Sequence, residues 1–503
     1  MPQQLVVDLT SVKGKPVPCD VMYTVDQRNF PFWSEWRSAG PGQWAIAYPK
    51  TEPFGIAVLW EVPGFGKIIV TADNEGKGYR MGEQQALDFR LEAAKSKVKK
   101  VRERAQALRT EGYQFGPELQ GRIEGAANAL ASALGSQGEA AARQADEALR
   151  EAFWAGEEME LAKARSDIGR MSAEERKSLL FGSPFFNPNP SEHFKQRFAE
   201  VFNFATLPFY RARFEPEEGK PDWELRNRCL DWLELQGIKA KGHPLSWIND
   251  SGLAPWMRRL SYATLKEVIY RQIYETVSYY KDRIKIWDVI NEAHDWWGAN
   301  SLQLNRDQLV EMTRVAAQAT RDADPEAIRI VNCMMPWGCY REKLESRDLM
   351  HPIEYFELLA QGGVEYEVLG LQMYHSGQDH WVRDMSEQSA LIDQYIALGK
   401  PIHITELQTP SSVEMGTPPR ELAFEIGEAA GWWHRPWYLE TQADWVEQFY
   451  SIAISKPAVG AITWWGLSDR RSFWPHGGFL DAQDMPKPSF HRLKSLIASI
   501  RQA

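Results

Sequence analysis

The stretch Ile-Trp-Asp-Val-Ile-Asn-Glu, residues 286–292, decides the fold. It is a short apolar run, rich in β-branched residues, that ends in a carboxylate. The stretch Ile-His-Ile-Thr-Glu-Leu, residues 402–407, repeats the arrangement around Glu406. Such runs are typical of buried parallel strands, and barrel enzymes carry their functional groups at the carboxyl ends of those strands. The two stretches therefore predict a parallel barrel with Glu292 and Glu406 at two strand ends.

The rest of the C-terminal region supports a barrel. From residue 171 to residue 503, short apolar segments alternate with amphipathic segments of helical period, as in an α/β fold with a parallel sheet. Eight strands are predicted, which is the number in a (β/α)8 TIM barrel. They are residues 181–186, 202–206, 240–247, 285–291, 329–332, 368–372, 401–405 and 459–465.

Two further regions precede this barrel. Residues 1–80 carry apolar runs separated by turn signals, which predicts a small β-sandwich-like domain. Its tryptophans (Trp33, Trp36, Trp44 and Trp60) could be core or a sugar-binding platform, and core packing is favoured. Residues 81–170 predict a helical hairpin or bundle, because apolar residues from Leu87 to Leu108 follow an alternating four–three spacing. That seam could pack internally, which is favoured, or join two copies in a homo-oligomer.

Bulk composition excludes several classes of protein. The chain has 503 residues, 44% of them hydrophobic and 25% charged, as expected for a soluble globular protein with more than one domain. Its net charge of −10 argues against a nucleic-acid partner, and no apolar stretch is long enough to span a membrane. No secretory signal is visible, so localisation stays open between an intracellular protein and a secreted one whose leader has been removed.

Cysteine and histidine positions give no sign of a metal site, because no cluster has zinc-binding spacing. The four cysteines are too scattered for a disulfide framework, and Cys333 with Cys339 is the only disulfide candidate.

The chemistry expected of the paired acids Glu292 and Glu406 requires neither a metal nor an organic cofactor. A retaining glycosidase uses one carboxyl group as general acid and a second, about 5–5.5 Å away, as nucleophile.

Six motifs in chain order carry a resemblance to a known family. They are Glu-Pro-Glu-Glu-Gly at 215–219, Gly-His-Pro-Leu-Ser-Trp-Ile at 242–248, Trp-Asp-Val-Ile-Asn-Glu at 287–292, Ile-Thr-Glu-Leu-Gln at 404–408, Trp-Gly-Leu-Ser-Asp at 465–469 and Pro-Lys-Pro at 486–488. With these motifs, the segment from about residue 180 to residue 500 resembles glycoside hydrolase family 10, the (β/α)8-barrel endo-β-1,4-xylanases. The chain's 21 tryptophans also suit a sugar-binding protein, since aromatic faces stack on sugar rings.

The resemblance implies roles for individual residues. Glu292 would be the general acid/base and Glu406 the nucleophile of a retaining endo-β-1,4-xylanase that acts on a xylan-like polysaccharide. Either Tyr374 or His375 would orient Glu406. The residues implied to contact the sugar are Asn291, His243, Trp247, Gln372, Trp465 and Trp474.

The chain departs from the family pattern around the expected sugar site. Ile248 stands where the family has a second histidine, and Gln408 stands where it has an aspartate. The lysine that grips the sugar is absent, and Arg211 or Tyr210 is its candidate substitute. These departures leave open the same mechanism on a different β-linked polysaccharide, or a non-catalytic glycan-binding barrel. Additional sugar-stacking surfaces are predicted at Trp296, Trp297, Trp432, Trp433 and Trp437.

Overall fold

The computed structural model describes residues 4–17, 21–48, 52–82, 86–294, 300–343, 349–377, 379–414 and 430–502. Within these ranges the chain forms an N-terminal pair of sheets, three long helices and a closed barrel. None of the helices in the described ranges is long and apolar enough to cross a membrane. The same ranges contain no cluster of three or more His, Cys, Asp or Glu side chains that could hold a metal ion.

Eight short strands form the N-terminal β region. They are β1 (Leu5–Asp8), β2 (Met22–Val25), β3 (Pro31–Phe32), β4 (Glu35–Gly40), β5 (Gln43–Ala47), β6 (Gly55–Val62), β7 (Gly66–Ala72) and β8 (Leu87–Asp88). One sheet has the order β4-β5-β1-β8, and β7-β6-β2-β3 belong to a second. Trp60 is buried, while Trp36 and Trp44 are partly buried against the same hydrophobic core. These three tryptophans are therefore packing residues, as the sequence favoured.

Three helices follow, namely α1 (Phe89–Thr110), α2 (Pro117–Leu134) and α3 (Gly138–Arg170). The predicted seam is buried at Ala94, Val98, Val101, Ala105 and Leu108. It faces α3, whose small residues Ala148 and Ala152 are buried as well. The apolar seam is thus covered within a single chain.

The barrel has eight parallel strands, as predicted. They are β9 (Leu180–Pro184), β10 (Phe204–Pro208), β11 (Lys239–His243), β12 (Ile286–Asn291), β13 (Ile328–Cys333), β14 (Val368–Tyr374), β15 (Ile402–Gln408) and, after the two-residue β16 (Trp432–Trp433), β17 (Val459–Trp464). They close in the order β10-β11-β12-β13-β14-β15-β17-β9. Each predicted strand overlaps an observed one.

Helices cover the outside of the barrel. They are α4 (Ala173–Ser178), α5 (Glu192–Val201), α6 (Arg211–Phe214), α7 (Trp223–Leu235), α8 (Tyr262–Tyr280), α9 (Arg306–Ala323), α10 (Pro352–Gln361), α11 (Met385–Ile396), α12 (Leu439–Ile454) and α13 (Pro488–Gln502). Side-chain caps fix where several of them begin, as where Asn305 and Gln308 form a reciprocal capping box on α9. Within the described ranges, short 3₁₀ turns lie at Met257–Arg259, Cys339–Lys343 and Asp469–Arg471.

The N-terminal β region is joined to the barrel by β16. This strand lies between β15 and α12 and pairs antiparallel with β7, which makes the second sheet five-stranded. Gly431, just before it, has φ of +95°, and a Cβ there would lie 2.3 Å from the Lys67 carbonyl oxygen. Only glycine permits this close approach of two backbones.

The disulfide candidate is not formed. Cys333 at the end of β13 and Cys339 are both buried free thiols. Burial raises the pKa of each, so both are protonated at neutral pH. Cys229 is also free, and Cys19 lies outside the described residues.

Candidate active site

Glu292 is the first residue after β12. It has φ of +54°, a left-handed conformation that costs a non-glycine residue roughly 1–2 kcal/mol. The backbone N–H of Glu292 donates to the Asn332 carbonyl oxygen at 2.7 Å, which fixes this turn against β13. Strained backbone that neighbouring contacts hold in place is common at functional sites.

Side-chain amides hold the Glu292 carboxylate. Asn291 Nδ2 donates to Glu292 Oε1 at 3.0 Å, and Gln372 Nε2 donates to the same oxygen at 2.8 Å. Asn332 Nδ2 donates to Asn291 Oδ1 at 2.7 Å. These residues are buried, so the network fixes the carboxylate with hydrogen bonds that are strong in a low-dielectric interior.

The Glu406 carboxylate lies in the same network. Tyr374 donates its hydroxyl proton to Glu406 Oε2 at 2.5 Å, and Asn332 Nδ2 donates to Oε1 at 3.4 Å. His243 Nε2 lies 3.7 Å from Oε1. Asn332 therefore contacts both the Asn291 amide, which holds Glu292, and the carboxylate of Glu406. The two acids are thus linked through residues of β12, β13 and β15.

A second row of charges lies behind Glu406. His243 Nδ1 is 2.6 Å from Asp288 Oδ2, and Lys241 Nζ is 2.7 Å from the same oxygen. Burial would raise the pKa of Asp288, but the contacts with Lys241 and His243 outweigh it and lower that pKa. Burial lowers the pKa of His243 despite its bond to Asp288. Neutral His243 thus holds a fixed orientation toward Glu406.

The two acids affect one another's protonation. Burial raises the pKa of Glu406, and the neighbouring charge of Glu292 raises it further. The Tyr374 hydrogen bond and the charge of Lys241 offset part of this rise. Two buried carboxylates in such a relation hold one proton between them at neutral pH, which is the state that a retaining glycosidase requires.

Aromatic rings line the His243 side of the site. The ring of Trp465 lies 5.1 Å from the His243 ring and 5.8 Å from Phe186. Tyr210 lies 5.5 Å from His243 and 5.9 Å from Trp247. Trp247 is partly exposed, so it can offer a face to a sugar ring.

Arg211 does not take the place of the missing lysine. It is buried, donates to the carbonyl oxygens of Leu245 and Gln272 and to Thr276 Oγ1, and lies 3.5 Å from Glu215. Its guanidinium is thus directed between α6 and α8. The prediction that Arg211 contacts substrate is wrong, because its side chain is buried and its hydrogen bonds are made to groups of the protein interior.

Tyr374, and not His375, contacts the Glu406 carboxylate. The His375 ring contacts Gln388, Trp337 and Trp445, away from the carboxylates. Its pKa is lowered to about 3 by burial, which keeps it neutral. The sequence left open which of these two residues contacts Glu406, and the register between β14 and β15 explains the outcome. Gln372 pairs with Glu406 because Thr405 is bulged out, and Tyr374, two residues after Gln372, lies on the same face of the strand.

Several predicted stacking tryptophans are packing residues instead. Trp474 is fully buried and lies against Tyr374, with ring centroids 5.3 Å apart and planes 19° apart. Trp433 and Trp437 are also buried and donate to Glu157 and to the Gly431 carbonyl oxygen. Trp432 is partly exposed, but its ring faces Lys67 of β7. Trp296 and Trp297 lie outside the described residues.

The sequence also left functional neighbours unassigned. Asn332, Asp288 and Lys241 were not predicted, although Asp288 lies within the motif that decides the fold. Asn332 ends a predicted strand, as Asn291 does, and this shared position was the available signal. Gln408, where the family has an aspartate, donates to Ser472 Oγ at 2.7 Å and accepts from the Trp474 N–H at 2.9 Å. It holds the segment after β17 in place.

A (β/α)8 barrel with two linked acids at the ends of β12 and β15 defines a glycoside hydrolase. The model for glycosyl hydrolase family 10 matches residues 209–495, more than half of the chain. The chain belongs to this family.

Curated relatives and solved structures agree with this assignment. The chain is 26% identical over 330 residues to endo-1,4-beta-xylanase B of Thermotoga neapolitana, which covers 63% of this chain and 86% of the relative. It is also 26% identical over 309 residues to an endo-1,4-beta-xylanase of Geobacillus stearothermophilus, with 56% and 84% covered. Xylanase 10B of Thermotoga petrophila, solved with xylobiose, shares the fold at a TM-score of 0.50 and 22% identity, over 65% of this chain and 96% of that structure.

Proposed function

We propose that this protein is a retaining endo-β-1,4-xylanase, with Glu406 as nucleophile and Glu292 as general acid/base. The observation that carries the proposal is the buried amide network that joins the two carboxylates through Asn291 and Asn332. The curated relatives named endo-1,4-beta-xylanase support xylan as the substrate.

The assignment of the two roles rests on what surrounds each acid. Glu406 accepts a short bond from the Tyr374 hydroxyl and faces the side of the site that holds Lys241. A hydrogen-bond donor and a nearby cation both favour the ionised form, which a nucleophile requires. The family resemblance places the acid/base role on Glu292, so we assign the single proton of the pair to Glu292 before the first displacement.

The reaction runs in two displacements. In the first, a Glu406 oxygen bonds to the anomeric carbon as the glycosidic C–O bond breaks, and Glu292 gives its proton to the departing oxygen. In the second, Glu292 takes a proton from water, the water oxygen bonds to the anomeric carbon, and the bond to Glu406 breaks. Asn291, by the family resemblance, would bond the 2-hydroxyl of the sugar, and its fixed amide suits that role.

A second candidate keeps this mechanism but changes the sugar. Arg211 does not reach the site, Ile248 is a buried apolar residue, and Tyr210 lies among Phe186, His243 and Trp247. The polar residues that the family uses to bind the sugar are thus replaced by aromatic rings. This favours testing other neutral β-linked polysaccharides beside xylan. A non-catalytic glycan-binding role is less well supported, because both acids and their network are present.

Reducing-sugar release from xylan, mannan, glucan and galactan separates these candidates, with Glu406→Ala as the inactive control. Release from xylan, with the β-anomer formed first in ¹H NMR spectra, is the expected result. Release only from another polymer selects the second candidate, and binding without release selects a glycan-binding protein. An initial α-anomer would contradict the retaining mechanism for any substrate.

We also propose that the oligomeric state is not set by the helical seam. The apolar residues of α1 that could join two copies are covered by α3. A homo-oligomer through the helical segment would have to use its polar outer faces. Sedimentation equilibrium tests this, and the expected result is a monomer at micromolar concentration.

A further inference from the structure

We propose that the N-terminal module, residues 4–170, is a positioning element of the active site. It holds the loop that follows β14, of which residues 375–377 and 379–384 are described. This loop in turn holds Tyr374, the last residue of β14, against the nucleophile Glu406. The inference rests on the proposed function. The family model begins at residue 209, so the match to the family assigns no role to this module.

Three residues at the end of this loop and Met385, the first residue of α11, are bonded to the module. The Ile69 N–H donates to the Val382 carbonyl oxygen at 2.8 Å. The next three contacts join Arg383 Nη2 to Tyr23 Oη at 2.9 Å, Lys97 Nζ to Asp384 Oδ1 at 3.1 Å, and the Met385 N–H to Glu157 Oε1 at 2.8 Å. The loop is therefore held by both sheet and helices of the module.

These contacts are sealed from solvent. The side chain of Lys97 is 7% exposed and that of Asp384 is fully buried. Asp384 also accepts from the Ser386 N–H at 3.0 Å and so caps α11. Buried charges hold only a narrow range of geometries, because any displacement leaves one of them without its partner. This ion pair thus fixes the start of α11 relative to α1.

Glu157 extends the same arrangement to the segment that contains β16. Besides the Met385 N–H, its carboxylate contacts Trp433 Nε1 at 2.7 Å and His434 Nε2 at 2.6 Å. Trp433 belongs to β16, in the segment between the Glu406 strand and α12. One buried carboxylate of α3 therefore connects the start of α11 with β16 and the residue after it.

The loop surrounds Tyr374 directly. The His380 ring lies 5.7 Å from the Tyr374 ring and 5.4 Å from that of Trp474. The Ser376 N–H donates to the His380 carbonyl oxygen at 2.8 Å, and Trp474 Nε1 donates to the Ser376 carbonyl oxygen at 3.3 Å. Tyr374 is thus packed between Trp474 and the loop that the module holds. Its hydroxyl is 2.5 Å from Glu406, and such a bond weakens steeply when its geometry is lost.

The test compares Lys97→Met with Lys99→Met, a matched change on the same helix at a more exposed lysine paired with Glu103. We expect Lys97→Met to lower kcat about 10-fold with KM within about 2-fold, because a displaced catalytic group mainly affects the transition state. The acid limb of the pH–rate profile should move to higher pH, since a weaker Tyr374 bond raises the pKa of Glu406. Lys97→Arg should restore most of the wild-type kcat and should return the acid limb most of the way to its wild-type pH.

A milder pair of variants covers the case in which Lys97→Met does not fold. Tyr23→Phe removes the acceptor of Arg383, and Tyr48→Phe is the same change at a module tyrosine whose ring contacts are with Phe32 and Phe54 of the module itself. Tyr23→Phe should lower kcat about 3-fold and shift the acid limb in the same direction, while Tyr48→Phe should do neither.

The outcomes distinguish this inference from the proposed function. If the wild-type protein hydrolyses polysaccharide and the Lys97 and Tyr23 variants lower only the Tm, with kcat and the acid limb unchanged, the module is purely structural and the inference is wrong. If the wild-type protein hydrolyses none of the four polysaccharides, the proposed function fails and the inference fails with it.

Discussion

The molecule buries charge in two regions, and the two do so in opposite ways. At the barrel mouth, the carboxylates of Glu292 and Glu406 share one network of neutral amides, and burial together with like charge raises the pKa of Glu406. Between the N-terminal module and the barrel, Lys97 faces Asp384 as an oppositely charged pair. The first arrangement is costly for stability, and the second has its charges compensated.

The difference separates function from structure. Like charges held together must share protons, which provides an acid and a base in one place. Opposite charges held together fix geometry. By this criterion Arg211, opposite Glu215, belongs with the structural charges, although the sequence placed it at the substrate. Substitutions of these residues test on which side of this division each one falls.

The largest effect is expected at the two acids. Glu406→Gln should lower kcat by about 10⁴-fold or more on every substrate, because no covalent intermediate can form. Glu292→Gln should lower it about 10³- to 10⁴-fold on xylan, but far less on an aryl glycoside whose leaving group needs no proton. Steady-state kinetics on both substrates measure this. Equal losses for Glu292→Gln on both substrates would remove Glu292 from the acid role.

The second effect is on stability. Arg211→Met should lower the free energy of unfolding by about 3 kcal/mol, because it leaves Glu215 buried without its cation. KM should stay within about 2-fold of the wild-type value. Arg213→Met is the matched control, since Arg213 is an exposed residue of the same short helix. Denaturant unfolding and kinetics measure both, and a raised KM with normal stability would return Arg211 to the substrate site.

The sequence predicted the barrel and its acid pair because the signals are local. Each strand and its terminal residue lie within about seven positions, so a pattern of apolar and polar residues specifies them together. Glu292 and Glu406 follow such runs directly. Asn332 also ends such a run, but a lone asparagine has no distinctive pattern, and only its contacts with Asn291 and Glu406 show its role.

The interface between module and barrel could not be predicted in this way. Lys97 and Asp384 are 287 positions apart, and Glu157 and Trp433 are 276 apart, so no local pattern joins them. The strand β16 has two residues and exists only because β7 supplies its partner. Trp433 and Trp437 are consequently buried, although their sequence context was that of an exposed loop.

The third effect tests the link between the acids and their surroundings. Tyr374→Phe should lower kcat about 10- to 100-fold, since one hydrogen-bond donor near the reacting charge is lost. The acid limb of the pH–rate profile should move to higher pH, because the hydrogen bond that is lost lowers the pKa of Glu406 in the wild-type protein. Tyr395→Phe, another buried tyrosine whose hydroxyl bonds a carbonyl oxygen, is the control for stability. An unmoved acid limb would show that Tyr374 does not set the protonation of the nucleophile.

The smallest effect concerns the cost of the acid pair to folding. Burial and the charge of Glu292 raise the pKa of Glu406 in the folded state, so in the window between the unfolded-state carboxyl pKa of about 4.3 and the raised pKa of the folded pair, the native acid pair keeps one proton that the unfolded chain has lost. Stability from this group therefore falls as pH rises through that window. Glu406→Gln removes the penalty and should stabilise the inactive protein by on the order of 1–2 kcal/mol at pH 8, and by almost nothing at pH 4. Thermal unfolding at both pH values measures this, with Glu61→Gln at an exposed position as control. A stabilisation equal at both pH values would mean that Glu406 lacks the raised pKa, and the division between titrating and paired charges would then not hold at this site.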